Sequence, residues 1–377
     1  MIVWQNGEAN PVSSVAIAGD FLPASGLQLP KGKNWTDIAT GLGRHFAKVD
    51  VGILNLECCV GVGESKPRRK LGLGDSFDAS SEVLNFPLTL GTKIIGMANN
   101  HVYDFGEEGL NRTRGAVQRA GLVALGVGKK LSETPDVVVT QSASGLRVGV
   151  WASARHLPDA ATREKAGIEP ATRSRGEEAL KALKDQGTAV KIAFLHAGLE
   201  RTNRPDPEDV VFMDDLARMG FDIVTACHSH RISGYREVRR LDGPAAFCFY
   251  GLGSISSGVI YSDFEREGIV VVVGIDRSGS IVRIEIQPIQ LEQTGWGHIP
   301  PLRDAYRILE RFRLLSEEIA EGSYKQRFYA DMRSDLLRRQ FRDMQAALQN
   351  GGLRGLATKL GRVRMRHLNR VLHQGTR

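Results

Sequence analysis

Lys93-Ile94-Ile95-Gly96-Met97-Ala98-Asn99-Asn100-His101-Val102-Tyr103-Asp104-Phe105-Gly106 is the stretch on which the fold turns. An apolar run, Lys93–Met97, leads into a polar loop, and a helical pattern begins at Gly106. A buried strand that delivers Asn100 and His101 onto the loop at its carboxyl end is one step of a strand-loop-helix alternation. Asn100 offers an amide oxygen suited to a hard metal, and His101 an imidazole that Asp104 can hold. Working outward, the apolar runs ending at Asp20, Glu57, His196 and His228–His230 repeat the pattern.

The alternation extends over most of the chain. Apolar runs rich in β-branched residues fall at 15–18, 51–54, 93–96, 137–140, 148–151, 190–195, 223–226, 247–250, 269–275 and 281–287. Between several of them, residues 35–46, 109–120, 176–186 and 207–218 carry apolar positions at three- and four-residue spacing, which predicts helices. An α/β fold follows, with reactive groups gathered beyond the strands' carboxyl ends.

Composition bounds the class. With 377 residues, the chain is long for one compact core, so a large α/β domain with an appendage is expected. Hydrophobic residues make up 42% and charged residues 25%, ordinary for a globular protein, and no apolar run reaches the roughly 18 residues of a membrane span. The start, Met1 to Glu8, lacks a basic segment followed by an apolar one, so a cytoplasmic product is expected. Cys58, Cys59, Cys227 and Cys248 form no C-x-x-C pair and read as small buried hydrophobes. Of the net +7, residues 301–377 carry 17 Lys plus Arg against 8 Asp plus Glu, or +9, leaving −2 for residues 1–300. The pattern also changes there: 302–348 and 353–372 look helical throughout, and Gly and Pro interrupt 293–301. The predicted organisation is therefore a domain over 1–292 and a basic helical extension over 293–377.

Each polar strand end has a plain and a chemical reading. Gly19-Asp20 is either a turn or a carboxylate presented at a tight exit from the sheet. Glu57 is a salt-bridge partner or a ligand whose two oxygens bridge two cations. His228 and His230 flank Ser229, so in extended backbone both rings point one way; satisfied core histidines are the alternative. His196 alone would be a structural histidine. Together, Asp20, Glu57, Asn100, His196, His228 and His230 are an O and N donor set without thiolate, the kind that holds Mn, Fe or Zn. Two divalent metal ions about 3.5 to 4 Å apart would clamp an oxyanion, while His101, oriented by Asp104, gives a proton to the leaving group.

Gly19-Asp20, Asn55-Leu56-Glu57, Ala98-Asn99-Asn100-His101 with Asp104 and Gly106, His196-Ala197-Gly198-Leu199-Glu200, Cys227-His228-Ser229-His230 and Tyr250-Gly251-Leu252-Gly253-Ser254 follow one another as in a known family. Over about residues 13–290 the chain resembles the bacterial capsule-synthesis CapA family, linked to poly-γ-glutamate capsules and related to the calcineurin-like metallophosphoesterases. The resemblance implies a four-layer α-β-β-α sandwich of metallophosphoesterase type with a dinuclear metal site at one edge. By matching motif, Asp20 and His230 would hold one metal, Asn100, His196 and His228 the other, with Glu57 between them and His101 as proton donor. The chain departs from the wider metallophosphoesterase pattern in two places: Phe21 and Leu22 follow Asp20 where that pattern reads Asp-x-His, and Glu57 stands where it has a bridging Asp.

Downstream of Glu57, Lys66, Arg68, Arg69 and Lys70 form a basic cluster that reads as a solvated loop or as an anion-binding loop. With Asn55 they are the candidate substrate-binding residues. Residues 353–372 mix leucines with Arg354, Lys359, Arg362, Arg364, Arg366 and Arg370, a pattern that suits an ordinary packed helix, peripheral contact with an anionic membrane, or an acidic polymer. Basic and aromatic residues are not interleaved, so no nucleic-acid partner is expected. Three functions remain open: a metal-dependent hydrolase of a phosphoester or of an amide bond in an anionic polymer; a capsule assembly protein that binds polymer or other capsule-synthesis proteins with little turnover; and a metal-dependent subunit assisting γ-glutamyl bond formation.

Overall fold

Along Ser13–Leu22 the side chains alternate between two cores: Val15 and Ile17 face one, Ala16 and Ala18 the other, and all four are buried. That alternation, the period-2 geometry of a strand covered on both faces, organises the protein, here described from a computed structural model. Residues 1–333 are described apart from 7–9, 25–26, 43–45, 47, 64, 66, 68–75, 134, 156 and 158. Two compact units are distinguished, Met1–Glu317 and Glu318–Arg377.

The first unit holds two main sheets. Their strands, in chain order, are β1 (Ile2–Gln5), β2 (Ser13–Leu22), β3 (Val51–Leu56), β4 (Thr92–Gly96), β5 (Val123–Leu125), β6 (Val137–Gln141), β7 (Arg147–Ala154), β8 (Val190–Ala197), β9 (Ile223–His228), β10 (Tyr235–Val238), β11 (Ala246–Phe249), β12 (Ser254–Ser257), β13 (Glu267–Ile275), β14 (Ile281–Leu291) and β15 (Gly297–His298). The first sheet runs β1-β14-β13-β2-β3-β4-β5, with β12 on β2 and β15 on β14; the second runs β10-β11-β9-β8-β7-β6. In the first sheet β2, β3, β4 and β5 are mutually parallel, and in the second β7, β8, β9 and β11 are.

Among the described residues, helices accompany the sheets, the first five in chain order over their outer faces. They are α1 (Trp35–Gly41), α2 (Asn85–Thr89), α3 (Gly106–Arg119), α4 (Arg173–Asp185), α5 (Pro207–Met219) and α6 (Leu302–Glu321). Their starts are legible in local chemistry: Asn34 accepts from the Asp37 amide at the head of α1, and Asp206 accepts from Glu208 ahead of α5, where Pro207 occupies the first turn. On the outer face of the first sheet, Ala16, Leu54, Leu56 and Ile95 pack with Phe86, Leu110, Val117 and Trp296. Between the sheets, Val15, Ile17, Ile53 and Ile94 meet Val150, Ile192, Phe194, Ile223 and Phe247. Each such side chain contributes roughly 1.5–3 kcal/mol when fully buried. Helices α4 and α5 lie on the second sheet, where Trp151 stacks on Phe221 at 5.8 Å. The order helix, sheet, sheet, helix is the expected four-layer arrangement.

Residues past β14 stay with the first sheet. Gly297–His298 pairs with β14, and the Trp296 indole donates to the Gln28 carbonyl at 2.9 Å. Ile308, Phe312 and Leu315 of α6 enter the core between the sheets, and Arg307 and Arg311 both pair with buried Glu267. In the second unit, described residues 318–333 are helical around a turn at Gly322. Residues 353–372, including the basic positions read from sequence, lie outside the described residues. Among the described residues no helix is long and apolar enough to cross a membrane.

One sequence expectation changes in the fold. Asp20 is not at a strand exit: β2 continues to Leu22, with its pairing to β3 shifted between Ile17 and Asp20. Gly19 makes this possible, because a Cβ there would lie 1.9 Å from the Gly253 carbonyl oxygen. That same oxygen accepts from the Asp20 amide at 3.1 Å, so the Gly253 turn presses directly on the strand.

Candidate functional site

Parallel strands in both sheets point their carboxyl ends at one edge, and there the polar side chains meet. From the first sheet come Asp20 in β2, Glu57 one residue beyond β3, and Asn99, Asn100 and His101 beyond β4; from the second come His196 in β8 and His228 ending β9, followed by His230. His230 Nδ1 lies 3.2 Å from Asp20 and 3.6 Å from Glu57, while His196 Nε2 lies 3.5 Å from Glu57 and 2.7 Å from the Asn100 amide oxygen. The His196 and His228 ring centroids are 4.4 Å apart. Asp20, Glu57, Asn100, His196, His228 and His230 thus converge.

A second cluster adjoins it. His101 Nδ1 lies 2.8 Å from Asp104 Oδ2, an oxygen that also accepts from the Phe77 amide, and the Phe77 ring packs 4.5 Å from the imidazole. Asp104 is fully buried and His101 is 8% exposed. Asn99 shapes the loop that carries them, its oxygen accepting from the His101 and Val102 amides at 3.1 and 2.9 Å.

The backbone of the His-x-His segment differs from the expectation of an extended pair. His228 has φ 108° and His230 φ 55°; with Arg201 at 64°, these are the non-glycine positions with positive φ among the described residues. Such conformations cost on the order of 1–3 kcal/mol each and persist where surrounding contacts over-determine them. Here the Asp20 carboxylate accepts from the His228 amide at 3.0 Å and Arg201 N–H donates to the Ser229 carbonyl at 2.8 Å. The two imidazoles reach the site from a twisted loop.

Asn55 is also placed differently from its reading as a substrate contact. It is 1% exposed, its amide donates to Asp20 at 2.8 Å, and its oxygen accepts from Asn99 at 3.1 Å. It holds Asp20 and Asn99 in place from within. The basic candidates Lys66, Arg68, Arg69 and Lys70 lie outside the described residues. Three residues were missed. Cys227 Sγ sits 3.6 Å from His196 Nδ1, disguised in sequence as one more apolar strand position. Asn99 was overshadowed by its neighbour Asn100. Glu200, whose charge acts on Glu57, His228 and His230, stands four residues past His196, the one signal that marked it.

Electrostatics separates these groups. Burial pushes the Glu57 carboxyl well above the usual range, and the Asp20 carboxylate pushes it further. At Asp20 burial acts the same way but is outweighed by the His230 hydrogen bond and charge, and the group is held below its ordinary value. Burial opposes charge on His230 too, yet Glu57 and Asp20 raise it to about 10. His228 falls to about 4 and His196 well below its usual value, chiefly through burial.

The donors fit a divalent cation. Both Glu57 oxygens and His228 Nδ1 are buried with no hydrogen-bond partner among the described residues, although leaving such groups unsatisfied costs about 1–3 kcal/mol each. Three overlapping sets, Asp20/His196/Cys227, Glu57/His196/His228 and Asp20/Glu57/His230, each bring one donor atom per residue within 4.8 Å of the others. Asp20, Glu57 and His196 each belong to two of them.

Comparison with known proteins places this geometry in a lineage. Capsule biosynthesis protein CapA of Bacillus anthracis is 21% identical over 274 residues, 71% of this chain and 64% of that protein. A probable polyglutamine synthesis accessory protein of Mycobacterium tuberculosis is 25% identical over 222 residues, 53% of this chain and 56% of that one. The chain therefore spans under two thirds of the length of these relatives. Among solved structures, the calcineurin-like phosphoesterase YfkN of Bacillus subtilis aligns with TM-score 0.46 at 13% identity, over 83% of this chain and 100% of that one. A 5'-nucleotidase precursor from Thermus thermophilus aligns with TM-score 0.45 at 13% identity, over 82% and 59%. The bacterial capsule synthesis protein family PGA_cap matches residues 14–258, which span every converging side chain of the site, and the chain belongs to that family.

Proposed function

We propose that this chain is a metal-dependent hydrolase acting on a phosphoester, or on an amide bond of an anionic polymer, in capsule or exopolysaccharide biosynthesis. The observation that carries the reading is Glu57, a fully buried carboxylate whose two oxygens accept no hydrogen bond among the described residues and which is set among Asp20, His196 and His230. Asp20, Glu57 and His230 would hold one divalent cation, and Glu57, His196 and His228, with Asn100, a second; Mn, Fe and Zn suit the set. Bound there, such ions supply Lewis-acid polarisation of the scissile group and neutralise its charge.

The chain's own residues do the rest. Asp20, ionised through its contact with His230, anchors the site and holds the His228 amide in its strained conformation. Asn55 and Asn99 lock Asp20 and the loop before His101 in register. His101, its Nδ1 held 2.8 Å from Asp104, would donate the proton to the leaving group. The Phe77 ring, 4.5 Å from the imidazole, packs against it.

Elemental analysis of the purified chain, followed by phosphomonoesters, phosphodiesters and γ-glutamyl peptides with added Mn(II), tests the reading. Bound metal together with turnover lost in His101→Ala supports it. Metal without turnover on any of these substrates marks a binding protein instead, and turnover only with a partner and nucleotide marks a subunit in γ-glutamyl bond formation. Retention of full metal content by both Asp20→Ala and His228→Ala refutes the assigned centre.

A further inference from the structure

Three arginines are tied to the histidine segments of the site, Arg231 next to His230, Arg201 through its amide to Ser229 and Arg155 through its amide to the His196 carbonyl, and their partners differ. Arg231 pairs with Glu265 at 3.2 Å and with Ser262 at 3.1 Å, and Arg155 pairs with Asp209. Arg201 has no carboxylate or hydrogen-bond partner for its guanidinium among the described residues; it lies over the Tyr261 ring, 3.6 Å from the centroid. Its backbone is fixed to the centre by the 2.8 Å bond to the Ser229 carbonyl, between the two ligand histidines, in a conformation few side chains adopt. Tyr261 is itself held, its amide donating to Glu265 at 2.7 Å, while the residue as a whole is 60% exposed. A guanidinium whose backbone is tied to the loop of the site and whose face stacks on an aromatic ring leaves its N–H edge, without a partner among the described residues, to meet a ligand.

We propose that Arg201, supported by Tyr261, recognises an oxyanion group of the substrate next to the reacting bond. This rests on the hydrolase reading and adds the substrate's charge to it: the group accepted is a carboxylate or phosphate matched to the guanidinium fork. Arg201 is a binding and specificity residue, distinct from the ligands and from His101. The stacked ring restricts the guanidinium to one plane, so that less side-chain freedom is lost when the anion binds.

The test is calorimetric titration of the full chain loaded with Mn(II), using inorganic phosphate and tri-γ-glutamate as probes, for wild type, Arg201→Ala, Arg201→Lys and Tyr261→Ala. Arg201→Ala is expected to weaken binding roughly tenfold or more with unchanged metal content and melting temperature, and Arg201→Lys to recover only part of it. Tyr261→Ala is expected to weaken binding less, through loss of the stacked platform. An effect on phosphate alone identifies a phosphoryl source, and an effect on the peptide alone a carboxylate source; both support the assignment. Wild-type affinity for both probes in Arg201→Ala overturns it while leaving the metal centre intact, and so does a wild type that binds neither probe. Repeating the titrations without metal separates the two readings: an Arg201 effect that persists in a chain found to hold no metal supports the anion role and removes the hydrolase.

Discussion

Replacing Glu57 with Gln separates a metal centre from a polar core. The side chain is fully buried and faces His196 and His230 at 3.5 and 3.6 Å without accepting a hydrogen bond. An amide of the same shape keeps the packing and cannot supply a carboxylate to a cation. Without metal, the carboxyl is already driven toward its neutral form by burial and Asp20, so the substitution is expected to change stability by less than about 1 kcal/mol. With Mn(II) or Zn(II) at a hundredfold its dissociation constant, a wild-type chain that binds the ion only when folded gains about 2.7 kcal/mol. For a unit of this size that corresponds to a rise in Tm of roughly 4–8 °C. The variant loses a carboxylate common to two of the donor sets and is expected to gain less than about 1 kcal/mol under the same conditions. Thermal unfolding followed by near-UV circular dichroism across a metal titration reads both numbers. An equal shift in wild type and variant, or no shift in wild type with Mn, Fe or Zn, refutes the reasoning.

Three further expectations follow from other parts of the structure. Gly19→Ala drives a methyl group to 1.9 Å from the Gly253 carbonyl, so a loss above about 3 kcal/mol or failure to fold is expected in urea unfolding, and a wild-type midpoint contradicts the close approach. His101→Ala is expected to lower kcat about 10²–10⁴-fold on any phosphoester found to turn over, and Asp104→Asn to lower it less, both with metal content unchanged; undiminished rates remove His101 from the chemistry. Burial raises the Cys59 thiol to about 11 and the Cys248 thiol well above its usual value, so above roughly pH 8.5 the unfolded chain loses these protons while the folded chain keeps them. Stability is therefore expected to be whole below that pH and to fall as pH rises, for Cys59 through about 11; urea midpoints at several alkaline pH values should decline less steeply in Cys59→Ala/Cys248→Ala, and an unchanged slope argues against the thiols as the cause.

The alternation of elements was legible because the central strands are buried on both faces and so read as unbroken apolar runs, as in Ile53-Leu54 or Ile192–Leu195. The common edge followed from parallel direction alone, which sends Glu57, His101, His196 and His228 to the same side. What was hidden depends on contacts between distant segments. Asp20 sits inside a strand because Gly253, more than 200 positions away, fits against Gly19. The left-handed backbone at His228 and His230 is imposed by Asp20 and by neighbouring chain, and no local residue type announces it. Asn55 was read as a substrate-binding residue because its partners, Asp20 and Asn99, lie on other segments of the chain.

Asn55 has a consequence for the genetics of the site. One amide joins Asp20 of the second strand, the Asn99 loop of the fourth and, at 3.4 Å, the His196 ring of the opposite sheet. Residues sharing a partner in this way show interaction energies of about 0.5–3 kcal/mol instead of independent effects. Substitutions at Asp20, Asn99 and His196 are therefore epistatic through position 55: the harm done by the second change depends on whether the first has already released that amide, and a lineage that alters one of these positions is pushed to alter the others in concert.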